Sequence, residues 1–559
     1  MAGAHHLAVV LVGATVAGLG AAQPGQLVQL KGPGACVSQL VTDGICAEAR
    51  ALNAPDALAV SPEGRSVYAA SFGVAPNVSG NPGSIAIFAR NASTGRITQP
   101  DGAAGCLGDP DDGCGAARGI RGASGVKVST DGRYLYATGF DSGAIAAFAR
   151  SPSGSLVQLA GTAGCVGADG LEECVAGPGL RGAADVAIAP GGTSLYVASA
   201  RSSAVAAFAR DPRTGRLTQL TGDAACIAEP AAVEDEGDED GGLGPDPESC
   251  RPGAGLAGAT TLAVSPDGKN VYVLAREALA AFRRGPDGRL TQLAGSQGCL
   301  NLDGSRGCAA VPQLENGLDL TIGPDGRTLY VASYLPGSII VLRRDPATGA
   351  LALTTTLSSP ALDGVAGLAV TRDGQGLYAV SPFQDAVLAF ARRADGRLEQ
   401  LRGAAACVSD VERSDSCAHG QVLSRASAVA VSPDGRHLYV SAVEPIGFSC
   451  ACGRELGSLS VFTRTSAAVT LSAPKAAALR AGGSFRIAAR VQTAAASAQV
   501  SCSAAIAGRP IRATGTYTAG TAVCSGSVPR GSAGKRLVGT VKVTTGAATR
   551  SANFSFPIR

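Results

Sequence analysis

Seven times along this chain a near-identical phrase returns. It reads ALAVSPEGRSVYAAS from Ala57, GVKVSTDGRYLYATG from Gly125, DVAIAPGGTSLYVAS from Asp185 and TLAVSPDGKNVYVLA from Thr261. It reads DLTIGPDGRTLYVAS from Asp319, GLAVTRDGQGLYAVS from Gly367 and AVAVSPDGRHLYVSA from Ala428. Each phrase places two short apolar runs around a turn of the Ser-Pro-Asp-Gly type. Proline presets the first turn dihedral and glycine accepts the positive one, so the runs are predicted to fold back as a hairpin. A hairpin returning every roughly 50–75 residues means like units stacked side by side, not one shared core.

The unit is longer than its hairpin. After SLYVASA comes SAVAAFARDPRTGRLTQL (Ser203–Leu220), which reads as a third strand, a turn and a fourth strand. The same pair follows from Gly143, Ala278 and Ala386. Four-stranded antiparallel units in series are the blades of a propeller. The seventh unit stops after its third strand, GSLSVFTR (Gly457–Arg464), while GQLVQL (Gly25–Leu30) matches the missing fourth. The N-terminal strand is therefore expected to finish the last blade and close the ring, removing open sheet edges. The fold class expected is all-β, a seven-bladed β-propeller over 23–466. From about Ala467 the repeats give way to alternating strands (AVTLSAP, GSFRIAARV, AQVSCSAAI, RLVGTVKV, NFSFPI), and 467–559 reads as a small immunoglobulin-like β-sandwich.

Residues 1–22 have the character of a signal peptide: an apolar stretch from Leu7 to Ala17, then Gly20-Ala21-Ala22. No later segment is apolar enough to span a bilayer. The 16 cysteines fall in close pairs, as disulfides made in an oxidising compartment would. The pairs are Cys36/Cys46, Cys106/Cys114, Cys165/Cys174, Cys226/Cys250, Cys299/Cys308, Cys407/Cys417 and Cys502/Cys524, with Cys450/Cys452 left open. Their spacings do not suit zinc. Six pairs lie in loops leading from one blade to the next, and the loop from blade five to blade six has none. These loops are expected to crowd the funnel mouth. The signal-like segment and the paired cysteines together predict a secreted or cell-surface protein. Arginine in excess of lysine, with many alanines and glycines, suggests a GC-rich bacterial coding sequence.

The repeat, with its trailing AVAAFARDPxTGRLTQL, resembles the seven-bladed β-propeller lactonase-like family and the related YVTN repeats of surface proteins. The resemblance covers about Gln26 to Arg464. It implies the propeller fold; some members open sugar-acid lactones, some cyclise muconates, and others have no demonstrated reaction. The muconate branch relies on His, Glu and Arg in the funnel, and no histidine here matches such a position. His437 falls in a hairpin turn on the opposite face, and His419 beside Cys417.

Counting seven residues back from the last apolar residue of each inner strand gives Asn53, Arg121, Arg181, Ala257, Glu315, Asp363 and Ser424 at the expected funnel mouth. Arg121 and Arg181, with Arg118 and Arg425 nearby and Asn53 beside them, could bind a carboxylate or phosphate. Glu315 or Asp363 could activate water against a lactone carbonyl. The arginines that end the third strands (Arg90, Arg150, Arg210, Arg284, Arg344, Arg392, Arg464) recur with every blade and read as structural. The acidic run Glu234–Asp240 fits no EF-hand spacing and reads as a solvated loop rather than a calcium site. A net charge of +3 without basic clustering excludes a nucleic-acid footprint. No cofactor or metal is expected. The preferred reading is a secreted, monomeric binding scaffold whose partner is an extracellular protein, a polymer or a small anionic ligand. The alternative is a lactonase-like hydrolase of a small anionic lactone.

Overall fold

In a computed structural model, the described residues are 23–559 apart from 33, 40–43, 74–82, 169, 231–248, 412–416, 445–455, 466–469, 493–497, 519 and 546–547. The signal-like segment, the acidic run and the Cys450/Cys452 pair lie outside them.

The repeats form seven antiparallel sheets. Their innermost strands are Pro55–Val60, Ala123–Val128, Ala183–Ile188, Thr261–Val264, Gly317–Ile322, Gly367–Val370 and Ala428–Val431. Each touches the next, and the last touches the first, so the ring is closed. Blade seven is completed from the chain's beginning. Leu27–Gln29 pairs antiparallel with Leu456–Arg464, in the register Leu27 to Arg464 and Gln29 to Phe462. The second strands, such as Ser194–Ser199 and Thr328–Ser333, are buried along their whole length because both faces meet a neighbouring blade. The core is accordingly a set of layers between blades. Tyr136 and Ile145 of blade two pack with Val186, Leu195 and Phe208 of blade three in one such layer. At the hairpin turns the glycines Gly64, Gly132, Gly192, Gly268, Gly326, Gly374 and Gly435 take φ of 65–71°, the region only glycine enters freely.

The recurrent arginines latch one blade to the next. Arg344, ending the third strand of blade five, donates to the Tyr272 hydroxyl (3.0 Å), Asn270 Oδ1 (2.6 Å) and the Asp267 carboxylate (2.9 Å) of blade four. It also holds the Gly326 carbonyl of its own turn (2.8 Å). Tyr272 in turn donates to the Gly349 carbonyl of blade five (2.7 Å). Equivalent ion pairs join Arg210 to Asp131, Arg392 to Asp325, Arg464 to Asp373, Arg150 to Glu63 and, across the closure, Arg90 to Asp434. One junction lacks the acid: the blade-three turn is Pro190-Gly191-Gly192, and Arg284 donates to the Ser194 hydroxyl (2.9 Å) and the Gly268 carbonyl (3.3 Å) and lies by Tyr196. Burial pushes the latch tyrosines Tyr136, Tyr272, Tyr330, Tyr378 and Tyr439 up to about 12, against the pull of the arginine charges.

Among the described residues seven disulfides are formed: Cys36–Cys46, Cys106–Cys114, Cys165–Cys174, Cys226–Cys250, Cys299–Cys308, Cys407–Cys417 and Cys502–Cys524. They fit an oxidising extracellular or periplasmic setting. The first six do not ring the funnel mouth, as the loop reading expected; they lie at the outer rim. The reason is that the outer strand is broken. In blade two, Leu156–Gln158 pairs with the end of the third strand, a 3-10 turn (Gly161–Ala163) intervenes, and Cys165–Gly167 pairs with its beginning. The bridged loop then lays Val175–Ala176 parallel against Cys165–Gly167, farther still from the axis.

Beyond the ring, two further antiparallel sheets enclose one core that includes Phe485, Ile487, Leu537, Val541 and Phe554. Cys502–Cys524 joins a strand of one sheet, Gln499–Ile506, to a strand of the other, Thr521–Ser527. Among the described residues, no helix is long and apolar enough to cross a membrane.

Candidate functional site

The residues picked out at the mouth sit where the chain enters each inner strand, and their backbones have a shared task. The carbonyls of Asn53, Arg121 and Arg181 accept N–H groups from the loop between the second and third strands of their own blade (3.0–3.3 Å), and that of Ser424 accepts the Val443 N–H near the end of its blade's second strand (3.0 Å). Those of Glu315 and Asp363 accept the Ser333 and Ser381 hydroxyls (2.6 and 2.5 Å). The side chains do not gather into one constellation. Arg121 is exposed and faces Glu172 of its own bridged loop (3.6 Å), while Arg118 pairs with Glu173 (2.9 Å). Glu172 also accepts the Gly119 N–H (2.6 Å) and the Ser142 hydroxyl (3.0 Å), so it fixes the loop from which Arg121 springs. Arg181 is half-buried, with its N–H held by the Ser202 hydroxyl (3.0 Å), and Arg425 is exposed, with its N–H held by Asp385 (2.7 Å). Asn53 is buried, its Oδ1 without a partner among the described residues. Glu315 and Asp363 are exposed, and Asp363 lines a groove between blades five and six. No ion pair between described residues joins either arginine to either acid. His419 is exposed on the outer edge of blade six, beside Ser409.

A different set of charges meets at the inner edge of the ring. Lys127 Nζ of blade two lies 3.9 Å from Asp185 Oδ1 of blade three. Asp185 Oδ2 accepts the Thr261 hydroxyl (2.9 Å) of blade four. Asp319 of blade five accepts the Leu368 N–H of blade six (2.7 Å) and the Leu320 N–H (2.7 Å). Burial pushes Asp319 up to about 6; the Asp185 charge adds to that, while the two N–H bonds and Lys127 work against it. Counting seven back from the strand end passed over this set. Three back, the blades show Ala57, Gly125, Asp185, Thr261, Asp319, Gly367 and Ala428; one back, Lys127 stands alone among alanines and Thr321. Two acids and a lysine breaking a run of small residues were the available signal.

A second perturbed group stands on the opposite face. His437 Nδ1 is 2.8 Å from Arg90 Nη2, so it must be the acceptor and the ring neutral. Burial and the Arg90 charge hold its pKa down to about 4, against the opposing pull of Asp434. The two groups bend stability in opposite senses. Stability from neutral His437 is present above about 6.5 and is lost as pH falls towards about 4. Asp319, raised above its unfolded value of 3.8, favours folding below 3.8 and loses that contribution as pH rises through about 6. In the native protein the two trends offset between pH 4 and 6. Asp319→Asn is expected to expose a loss of about 1–2 kcal/mol as pH drops from 6.5 to 4. His437→Gln is expected to show a loss of similar size as pH climbs from 4 to 6. Urea midpoints measured across that range check both slopes.

Residues 108–234 match the sequence model of a family described as "Lactonase, 7-bladed beta-propeller". No curated protein matches the chain. Among solved structures, the periplasmic gluconolactonase of Pseudomonas aeruginosa is similar at 18% identity, covering 62% of this chain and 84% of that one, with a TM-score of 0.44. A protein from Lactobacillus plantarum is similar at 16% identity, covering 63% and 85%, with a TM-score of 0.44. Hydrazine synthase of Kuenenia stuttgartiensis is similar at 14% identity, covering 70% and 94%, with a TM-score of 0.40.

Proposed function

We propose that this protein, whose residues 108–234 carry the lactonase-type propeller signature, is an exported binding scaffold. Its closed ring presents disulfide-braced outer edges to an extracellular protein or polymer, and 467–559, read as an immunoglobulin-like module, acts as spacer or second contact. The observation that carries this reading is where the bridges lie: six disulfides stiffen the outer rim, where a partner would meet loops on a rigid frame. The candidate mouth residues support it too, because Arg121 and Arg118 are engaged with Glu172 and Glu173.

Lactone hydrolysis is the second reading, and the axial cluster favours it. A carboxylate raised to about 6, on the same inner edge as a lysine that pairs with Asp185, has the properties of a general base with an anion-holding cation in the same ring. Asp319 would take a proton from water attacking the lactone carbonyl carbon, and the ring oxygen would leave with a proton from solvent. A panel of sugar-acid lactones, given to the disulfide-intact protein, separates the two. The scaffold reading expects turnover at the uncatalysed rate, with retention of an extracellular or envelope component by immobilised protein unchanged in Asp319→Asn. Turnover abolished by Asp319→Asn and Lys127→Ala, or by Arg121→Ala and Arg181→Ala, would overturn it.

A further inference from the structure

Blade five lacks what the other blades carry on their outer edge. In five blades the carbonyl at one fixed position of the outer strand accepts an N–H from the bridged loop. Ser38 accepts from Ala49, Gly167 from Gly177, Ala228 from Gly253, Asn301 from Val311 and Ser409 from Gly420, at 2.7–2.9 Å. In blade one, Leu107 bridges Gly115 in the same parallel sense. Register makes Ser358 the equivalent residue in blade five, since it lies opposite Ser338 as Gly167 lies opposite Ala144. Its carbonyl accepts no backbone N–H from any described residue. The outer strand there runs from Leu351 to Ser358 without a 3-10 break, with one bulge at Thr354 and with Ala352–Thr355 exposed. An edge strand that no described residue covers is a template for another strand.

No described residue fills the space beside that edge. Elsewhere a glutamine of the outer strand grips the loop entering its blade: Gln158 Nε2 donates to the Arg118 carbonyl (2.8 Å) and Oε1 accepts the Arg118 N–H (3.0 Å). Gln29, Gln99, Gln219 and Gln292 do likewise through at least one such bond. Gln400 of blade six has no such partner among the described residues, because the blade five to six connection is short. A cavity of about 820 Å³ lies there, lined by Pro336, Ser359, Pro360, Asp363, Gln384 and Leu388 among others. The buried Ser359 Oγ, aimed at no partner, lines it, and the buried Ser338 Oγ behind it is equally unsatisfied. Among the described residues, Asp363 is the one ionisable side chain in the lining. Phe383, Leu335 and Val411, exposed at 55%, 43% and 47%, stand nearby.

We propose that this edge and groove take an extended segment of a partner polypeptide as an added outer strand. The segment runs parallel to Leu351–Ser358, as Val175–Ala176 runs parallel to Cys165–Gly167. It offers small apolar residues, as Val175–Ala176 and Ala309–Ala310 do, and a basic residue that complements Asp363. This deepens the scaffold reading and rests on it.

The probe is a labelled peptide, Lys-Ala-Val-Ala-Gly-Pro, which follows residues 173–178 with Lys in place of Glu173 and Ala in place of Cys174. The same peptide bearing Glu for Lys is the comparison. Full-length protein is expected to bind the first in anisotropy titrations, with protection of residues 351–358 from deuterium exchange on saturation. Ser358→Pro removes an outward edge donor without cutting the ladder. It is expected to weaken binding about tenfold with thermal stability kept, and Asp363→Asn to erase the preference for Lys over Glu. No binding, or binding unaltered in Ser358→Pro, would overturn the proposal. A concentration-dependent dimer abolished by Ser358→Pro would also overturn it, in favour of a second copy as occupant. Lactone turnover with peptide binding intact would instead sink the scaffold reading and leave the groove standing. Retention of an envelope component without peptide binding would do the reverse.

Discussion

Arg344→Ala is expected to destabilise the ring by about 2–3 kcal/mol, the range for losing hydrogen bonds made by a charged group, since Asp267 itself is partly exposed. The side chain is almost wholly buried and holds four groups at once: Tyr272, Asn270, Asp267 and the Gly326 carbonyl. Alanine leaves the Asp267 carboxylate beside a hole and the Tyr272 hydroxyl without a donor. Burial disfavours the charged form of Asp267, yet the Ser265 hydroxyl and Arg344 together keep it below the usual carboxylate range. Arg284→Ala is the internal control. Blade three offers it no acid, so the loss should be nearer about 1 kcal/mol, the value of ordinary hydrogen bonds. Denaturant midpoints for the two variants decide the matter; equal losses would mean that the acid contributes nothing to the latch.

Removal of residues 23–30 is expected to do more harm than any single substitution. It takes away the strand Leu27–Gln29, the buried Leu27 side chain and the Gly25 carbonyl that accepts the Tyr378 hydroxyl (2.8 Å). Losing one buried leucine alone costs about 2–5 kcal/mol. The deletion also uncovers the end of the strand Leu456–Arg464, at Phe462–Arg464 with the buried Phe462, while Cys36–Ser38 stays paired with Ser458–Ser460. An uncovered apolar edge invites pairing between molecules. Light scattering coupled to size-exclusion chromatography should therefore show oligomers or aggregate. A peptide copying residues 23–32, added during refolding, should restore the native species. A truncated chain that stays monomeric and keeps its melting temperature would show that the strand is dispensable.

The ring was legible in the sequence because its turns are punctuated. Ser-Pro-Asp-Gly fixes two dihedrals chemically, and the recurrence of Tyr in the second strand and Arg at the end of the third kept the blades in register. The arginines could be read as structural from their repetition; that they reach backwards to the preceding blade's Tyr and Asp could not, because sequence does not state which neighbour a side chain faces. The bridged loops were misplaced for a related reason. The sequence reads the outer strand as one run ending at GRLTQL, whereas in five blades it breaks at a 3-10 turn and resumes at the first cysteine, carrying the disulfide outward instead of towards the axis. The mouth residues were sought at a position whose backbone ties the entry loop to the blade, which leaves Arg121 or Glu315 free to point outward. Asp185 and Asp319 went unremarked because they sit inside the repeated phrase, where the eye reads scaffold.

The central claim is that the ring is sealed by its own N-terminal strand. Hydrogen–deuterium exchange of the intact, oxidised protein, read on peptides spanning residues 26–30 and 456–464, tests it most directly. The account predicts that both segments are protected, and that their amides open together at the same denaturant concentration. Complete exchange of residues 26–30 within seconds, while 456–464 stays protected, would contradict it.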